Sequence, residues 1–206
     1  MLADLALESH AATVLAMRIA RAVDRAGVDA NEAAMARLGT ALGKYWLCKR
    51  APAFVNEAQE CLGGAGYVEE SMLPRLYRQA PLNSIWEGSG NIQCLDVLRA
   101  LEREPGCADA LFAELADARG GHPLLDAAVT RLRSELQEAG EAREAAARRI
   151  TGRMAQALQA ALLLRSGHAA LAEAFCASRL SGAHDGTYGT LAAGAPRDLL
   201  LERAGH

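Results

Sequence analysis

The stretch Asn83-Ser84-Ile85-Trp86-Glu87-Gly88-Ser89-Gly90-Asn91-Ile92-Gln93 sets one carboxylate between an indole and a glycine, just ahead of a residue suited to start a helix. If Glu87 lies in an apolar wall beside Ile85 and Trp86, desolvation raises its pKa and makes it a better proton acceptor near neutral pH. Glu87 is then a general base. The other reading is structural: an acid one turn ahead of a helix is held there by the favourable dipole of the helix N-terminus. Taken alone, four residues of Glu-Gly-Ser-Gly favour the structural reading. A second glycine-rich stretch, Leu62-Gly63-Gly64-Ala65-Gly66-Tyr67, is no dinucleotide fingerprint, because no strand precedes it and its glycine spacing is wrong.

Other reactive groups are dispersed. His10, His122, His168, His184 and His206 show no pair at metal-ligand spacing, so no metal is assigned. Arg75 and Arg78, at i and i+3, either grip phosphate or pair with Glu69 and Glu70, the ion pair being the ordinary outcome. Tyr67 and Tyr77 read as wall or core. Arg143, Arg148, Arg149 and Arg153 invite a nucleic-acid reading, but Glu138, Glu141 and Glu144 are interleaved with them. Beyond residue 130 ten arginines face eight acids, the balance of a solvated helix face.

The elements that must position these groups are helical. Leu5, Ala12, Ala16, Ile19 and Val23 recur at helical spacing, with Arg18, Arg21 and Arg25 on another side. Gly27, Asp29 and Asn31 break the chain, and Asn31 or a neighbour caps a second helix to about Arg50, which Pro52 interrupts or kinks before the pattern resumes to Leu62. Gly63, Gly64 and Gly66 end it. Residues 71–88 hold Pro74 and Pro81 and read as a long loop with at most one short helix near Arg75. Ser89 caps the next helix, in which Ile92, Leu95, Val97, Leu98 and Leu101 predict burial over more than half the circumference. After a break around Pro105 and another at 119–123, Leu125, Ala128, Val129, Leu132 and Leu136 mark one helix, and Ile150, Met154, Ala157, Leu158 and Ala161 a further one. From Ser181 onward, glycine and small polar residues predict a loosely ordered tail or one laid against a partner.

Composition sets the frame. The 206 residues are 51% hydrophobic and only 4% aromatic, a balance of alanine and leucine that favours an all-α fold packed through small side chains. A formal net charge of −3 argues against a protein that neutralises phosphate over its whole surface. Cys48, Cys61, Cys94, Cys107 and Cys176 form no C-x-x-C pair and are odd in number, which fits a reducing cytoplasm. No export signal and no membrane span is indicated.

Read together at their mutual distance, the motifs resemble the C-terminal domain of acyl-CoA dehydrogenases. The family pattern is a Gly-Gly-x-Gly-Tyr turn, an Arg-x-x-Arg stretch and x-Glu-Gly-Thr-x-x-Ile-Gln, and residues 62–93 follow it in register without gaps. Residues 44–64 and the variant Ile85-Trp86-Glu87-Gly88-Ser89-Gly90-Asn91-Ile92-Gln93 are similar to one branch, the DNA-alkylation-response (AidB-type) flavoproteins, which carry an extra helical segment after the catalytic domain. The resemblance implies a helical-bundle domain over 1–119 and a helical extension over 120–206.

It also implies chemistry: α,β-dehydrogenation of an acyl-CoA thioester, with FAD accepting the hydride and Glu87 removing the α-proton. Trp86 shields the carboxylate and Gly88 leaves room for substrate. Ser89 and Asn91 match residues that meet the AMP part of FAD, while Gly63 and Gly64 match a turn that approaches FAD held by a neighbouring subunit. A homo-oligomer, dimer or tetramer, follows. The chain departs from the pattern at Ser89 for Thr, at Glu60 for Gln, and at Gln79-Ala80-Pro81 for Asp-Ala-Arg. The bulk of the flavin site in this family comes from two preceding domains that this chain lacks, so it is expected to be incompetent in isolation. The alternatives are weak DNA association through the extension and a non-catalytic helical oligomerisation module.

Overall fold

The computed structural model describes residues 1–137, 140–182 and 186–205; Glu138, His184 and His206 lie outside the described residues. All regular structure among the described residues is helical, as the composition predicts. The elements are α1 (Leu2–Arg25), α2 (Ala30–Glu60), α3 (Gly64–Tyr67), α4 (Leu73–Gln79) with a 3-10 turn at Ala80–Ser84, and α5 (Gly90–Arg103). Then come α6 (Pro105–Ala116), α7 (Pro123–Glu135), α8 (Gly140–Ala145), α9 (Ala147–Arg165), α10 (Ala169–Phe175) with a π-helical turn at Cys176–Leu180, and α11 (Arg197–Ala204).

Asp29 starts α2: its carboxylate accepts from the backbone N–H groups of Asn31 at 2.9 Å and Glu32 at 3.2 Å, satisfying two orphan donors of the first turn. The helix continues through Pro52, which therefore does not interrupt it, because α1, α5, α6 and α9 pack along its length. Small residues let these neighbours close in. A Cβ on Gly43 would come 2.4 Å from Cδ1 of Ile19, so any side chain there would have to displace that methyl.

The core gathers around α9. Ile150, Met154, Ala157, Leu158 and Ala161 are all buried, as their spacing predicts, and fully burying each large one contributes about 1.5–3 kcal/mol. One cluster joins Leu7, Leu42, Val97, Leu111, Leu158 and Leu200, so the core crosses the turn between α6 and α7 without a seam.

Three expectations need correction. On α1 Leu5 is buried and Ile19 packs against the core as predicted, but the buried side also takes in Asp4, Leu7, Glu8, Ala11, Leu15 and Ala22, while Ala16 and Val23 are exposed. Polar partners decide this: Arg18 turns inward to Glu32 at 2.7 Å and Glu114 at 2.8 Å, and Arg165 meets Glu114 at 2.6 Å. On α5 Gly90, Cys94, Val97, Leu98 and Ala100 are buried and Leu95 and Leu101 pack against the core, but Ile92 lies open, because the contacts of the first turn with Tyr45 and Arg148 fall at Gly90. The tail is neither loose nor reserved for a partner over residues 186–205: Tyr188, Leu191 and Leu200 are buried against the chain's own helices, with α11 on α1.

The tail is clamped by ions. Arg179 and Asp4, with side chains 2% and 1% exposed, pair with each other, and Arg179 also meets Glu8 at 3.3 Å. Arg50 pairs with Glu8 and donates to the Tyr188 hydroxyl at 3.1 Å, while the Gly189 N–H donates to Asp4 at 2.8 Å. Burial, reinforced by the Glu8 charge, pushes the Tyr188 phenol up to about 12. Each buried charge thus has an opposite partner, the condition under which such groups are tolerated.

Candidate functional site

Residues 85–89 link the 3-10 turn to α5, and three successive carbonyls in this loop are held by side chains. Lys44, on α2, donates its ammonium to the Trp86 and Gly88 carbonyls, the latter at 2.7 Å. Gln93, one turn into α5, donates its amide to the Glu87 carbonyl at 2.9 Å and to that of Gly88 at 3.4 Å. The loop is thereby fixed between two helices.

Its conformation is unusual. Glu87 has φ 55°, and it is the one non-glycine residue with positive φ among the described residues. Such backbone costs of order 1–3 kcal/mol and persists only where surrounding contacts impose it. Gly88 follows with φ 95°, which favours glycine, and a Cβ there would come 2.6 Å from the Gln93 amide nitrogen and displace the side chain that holds the loop. The Glu87 carboxylate itself makes no hydrogen bond or ion pair among the described residues, and it is exposed. The result is a free carboxylate on a rigid mount. A helix-terminus acid needs only proximity to the dipole; neither the left-handed backbone nor the lysine clamp follows from that role.

The apolar wall expected around Glu87 is not formed by this chain. Ile85 and Trp86 are 63% and 54% exposed. They flank the carboxylate but are themselves open to solvent, so they do not enclose it. Any shielding must come from whatever covers this face.

Ser89 opens α5 but its hydroxyl caps nothing, and Asn91 is exposed, so the first-turn N–H groups remain available to a polar or anionic ligand. Gly63 and Gly64 are exposed, and a Cβ on either would meet nothing within 4 Å, leaving their backbone open to close approach. These features suit a dinucleotide's polar edges. They do not converge within one chain: Glu87 is held near Lys44, and Gly63 lies past the far end of α2, roughly 24 Å along the helix at 1.5 Å per residue. At the departure from the family pattern, Glu60 accepts from Asn56 at 2.9 Å, an engagement within α2 itself.

Tyr67 and Tyr77 are not core. Tyr67 is 80% exposed, and both line an open cleft with Gln59, Val68 and Pro74. Arg78 pairs with Glu69 at 2.7 Å, as its spacing suggests. His122 caps α7 by accepting from the Leu124 N–H and contacts Glu173 at 3.0 Å. No cluster of three or more metal-ligating side chains occurs among the described residues. Arg143 meets Glu102 at 3.4 Å, Arg149 and Arg153 share Glu135, and Arg148 lies over the Tyr45 ring. No helix among the described residues is long and apolar enough to cross a membrane.

Lys44 was invisible to sequence reasoning, since a lysine serving backbone carbonyls leaves no spacing signal. Gln93 lay inside the Ile-Gln of the motif but carried no assigned role.

The profile of the acyl-CoA dehydrogenase C-terminal domain matches residues 1–102, and with the all-α bundle and the Glu87 loop this defines the class: the chain belongs to the acyl-CoA dehydrogenase family. Within it the chain is similar to AidB of Escherichia coli (strain K12), 45% identical over 175 residues, which is 85% of this chain and 32% of that protein. Because 175 residues exceed the first 119, the match includes part of the extension. The structure of Caenorhabditis elegans ACDH-11 in complex with C11-CoA aligns with a TM-score of 0.72 and 26% identity over 82% of this chain and 34% of that one. The apo-form of Bd2924 aligns with a TM-score of 0.67 and 30% identity over 76% and 31%. The chain spans about a third of the length of these relatives.

Proposed function

We propose that this chain is the base-bearing portion of an FAD-dependent acyl-CoA dehydrogenase and that Glu87 is the proton acceptor. The observation that carries the reading is the uncommitted carboxylate on a loop whose three carbonyls are held by Lys44 and Gln93. Removing the α-proton of a thioester is hard, so the base must be fixed before substrate arrives, and a preset loop does this at no cost during the reaction. Glu87 takes the proton from the α-carbon as the α,β double bond forms. Bound FAD would supply the acceptor for the β-hydride. Trp86 and Ile85 form one side of the apolar cover, Gly88 keeps the approach clear, and Ser89, Asn91, Gly63 and Gly64 meet the cofactor.

The separation of the glycine turn from Glu87 along α2 supports a homo-oligomer in which each end serves a different flavin. The exposed apolar side chains around both ends support the same reading. Binding of duplex DNA through the extension is the weaker alternative, since Arg143 pairs with Glu102, Arg148 lies over the Tyr45 ring, and Glu135 offsets one of the two charges of Arg149 and Arg153. The non-catalytic oligomerisation module leaves the strained Glu87 unexplained.

The isolated chain should associate but hold no stoichiometric flavin after gel filtration. A longer protein that includes it and the remaining length of its relatives should be yellow and bleach on adding acyl-CoA. Loss of the flavin band only with reductants, never with acyl-CoA, would overturn the assignment.

A further inference from the structure

Between α7, α9 and the π-helical turn lies a pocket of about 220 Å³ lined by Arg131, Arg153, Gln156 and Arg179 with the apolar Ala128 and Leu180. Among the described residues its lining holds no acidic side chain, and its volume is far above the roughly 10–15 Å³ that one water needs. Three guanidinium groups are thus gathered around one space, and their carboxylate partners, Asp4 and Glu8 for Arg179 and Glu135 for Arg153, are not among the residues that line it.

Their pairing shows what is left over. Arg131 makes no ion pair or hydrogen bond among the described residues. Arg153 touches Glu135, but that carboxylate is shared with Arg149, so one acid serves two bases. Burial, with the Arg131 charge next, holds the Arg153 guanidinium below its usual range, which places Arg131 close enough for the two cations to repel. Arg179 spends Nε and Nη2 on Asp4 and Glu8, while its Nη1, sealed from solvent, has no hydrogen-bond partner. A buried donor without an acceptor is costly and asks for one.

We propose that this pocket binds a small phosphate-bearing ligand, a phosphate monoester or free phosphate, through Arg131, Arg153 and Arg179, with Gln156 donating its amide. Charge selects the class. Among the described residues Arg131 leaves one uncompensated positive charge and the triad of Arg149, Arg153 and Glu135 leaves another, which together match a phosphate monoester near −2. A carboxylate matches only one of them, and each phosphodiester of a nucleic-acid backbone also carries a single charge. Guanidinium forks suit the several oxygens of a tetrahedral anion. Nothing in this assignment depends on the flavin reading, since the pocket lies in the extension and Glu87 on α5's approach.

Inorganic phosphate titrated into the isotope-labelled chain at low ionic strength is the test, followed through backbone amide resonances. The expected result is saturable one-to-one binding with shifts centred on residues 128–131 and 153–156. Arg131 is exposed, so Arg131→Gln should fold normally, and it should weaken binding at least about tenfold, the scale of one charge-assisted hydrogen bond. Arg131→Lys should recover part of the loss. Diffuse, non-saturating shifts, or unchanged affinity in Arg131→Gln, would mean an adventitious ion only and overturn the proposal. Displacement of phosphate by duplex DNA would overturn it too, by assigning the pocket to a phosphodiester.

Discussion

The segment from Leu62 to Ile92 and the packing around α9 obey different rules. Of the sixteen large apolar side chains exposed among the described residues, ten lie in that segment. Along α9, by contrast, Ile150, Met154, Leu158 and Leu163 are all buried. The segment keeps its shape through hydrogen bonds to its backbone: Lys44 and Gln93 hold carbonyls 86–88, and Gln59 donates to the Gly66 carbonyl at 3.2 Å. The region around α9 keeps its shape through close packing and is sealed by buried ion pairs. The difference teaches that a surface can be fixed without burying its own apolar groups. Those groups then remain available to cover something else, which is what a shielded base and a shared cofactor require.

The contrast breaks first at the buried ions. Arg179→Ala leaves Asp4 and Glu8 short of a counter-charge and should cost about 3–5 kcal/mol, read from the denaturation midpoint at constant slope. A loss below about 1 kcal/mol would mean that the tail is not clamped. Next comes a matched pair of truncations. Leu158→Ala should cost about 2–5 kcal/mol, whereas Trp86→Ala should stay within about 0.5 kcal/mol. Equal losses would show that the 62–92 face is closed over by the chain itself. The smallest effect on stability, and the sharpest on the loop, is expected from Lys44→Met. Carbonyls 86 and 88 lose their donor, so amides of residues 85–90 should exchange with solvent faster while those of α9 do not change. Uniform exchange in both regions would remove Lys44 as the clamp.

Legibility in the sequence followed the same division. The α9 stripe was readable because the residues predicted on it are all apolar. Residues 71–88, read as a long loop with at most one short helix, instead form α4 and a 3-10 turn over 73–84, since Pro74 and Pro81 stand in the first turns of these two helices and do not break them. The α1 stripe was hidden, since Asp4, Glu8 and Arg18 sit on the buried side and an alanine-rich helix offers several stripes of similar hydrophobicity. Their partners, Arg179, Arg50 and Glu114, are distant in sequence, so pairing was not visible until the chain folded. At the site, the motif identified Glu87, Gly88 and Ser89 by register. It could not show that the carboxylate stands in the open, because exposure depends on which elements fail to cover a loop. Nor could it show Lys44, whose contacts are to carbonyls that every residue carries.

The central claim is that Glu87 accepts the α-proton. Its direct test is rapid mixing of acyl-CoA with the flavin-loaded protein that contains this chain, wild type beside Glu87→Gln, with wild-type bleaching measured above the substrate-free background. An amide keeps the size of the side chain but cannot take the proton. The variant should retain flavin and bind substrate, while bleaching slows by at least roughly a hundredfold, within the 10²–10⁴-fold span of general-base catalysis. Bleaching at near wild-type speed would contradict the account and leave Glu87 as a helix-terminus acid, worth only about 0.3–1 kcal/mol of stability.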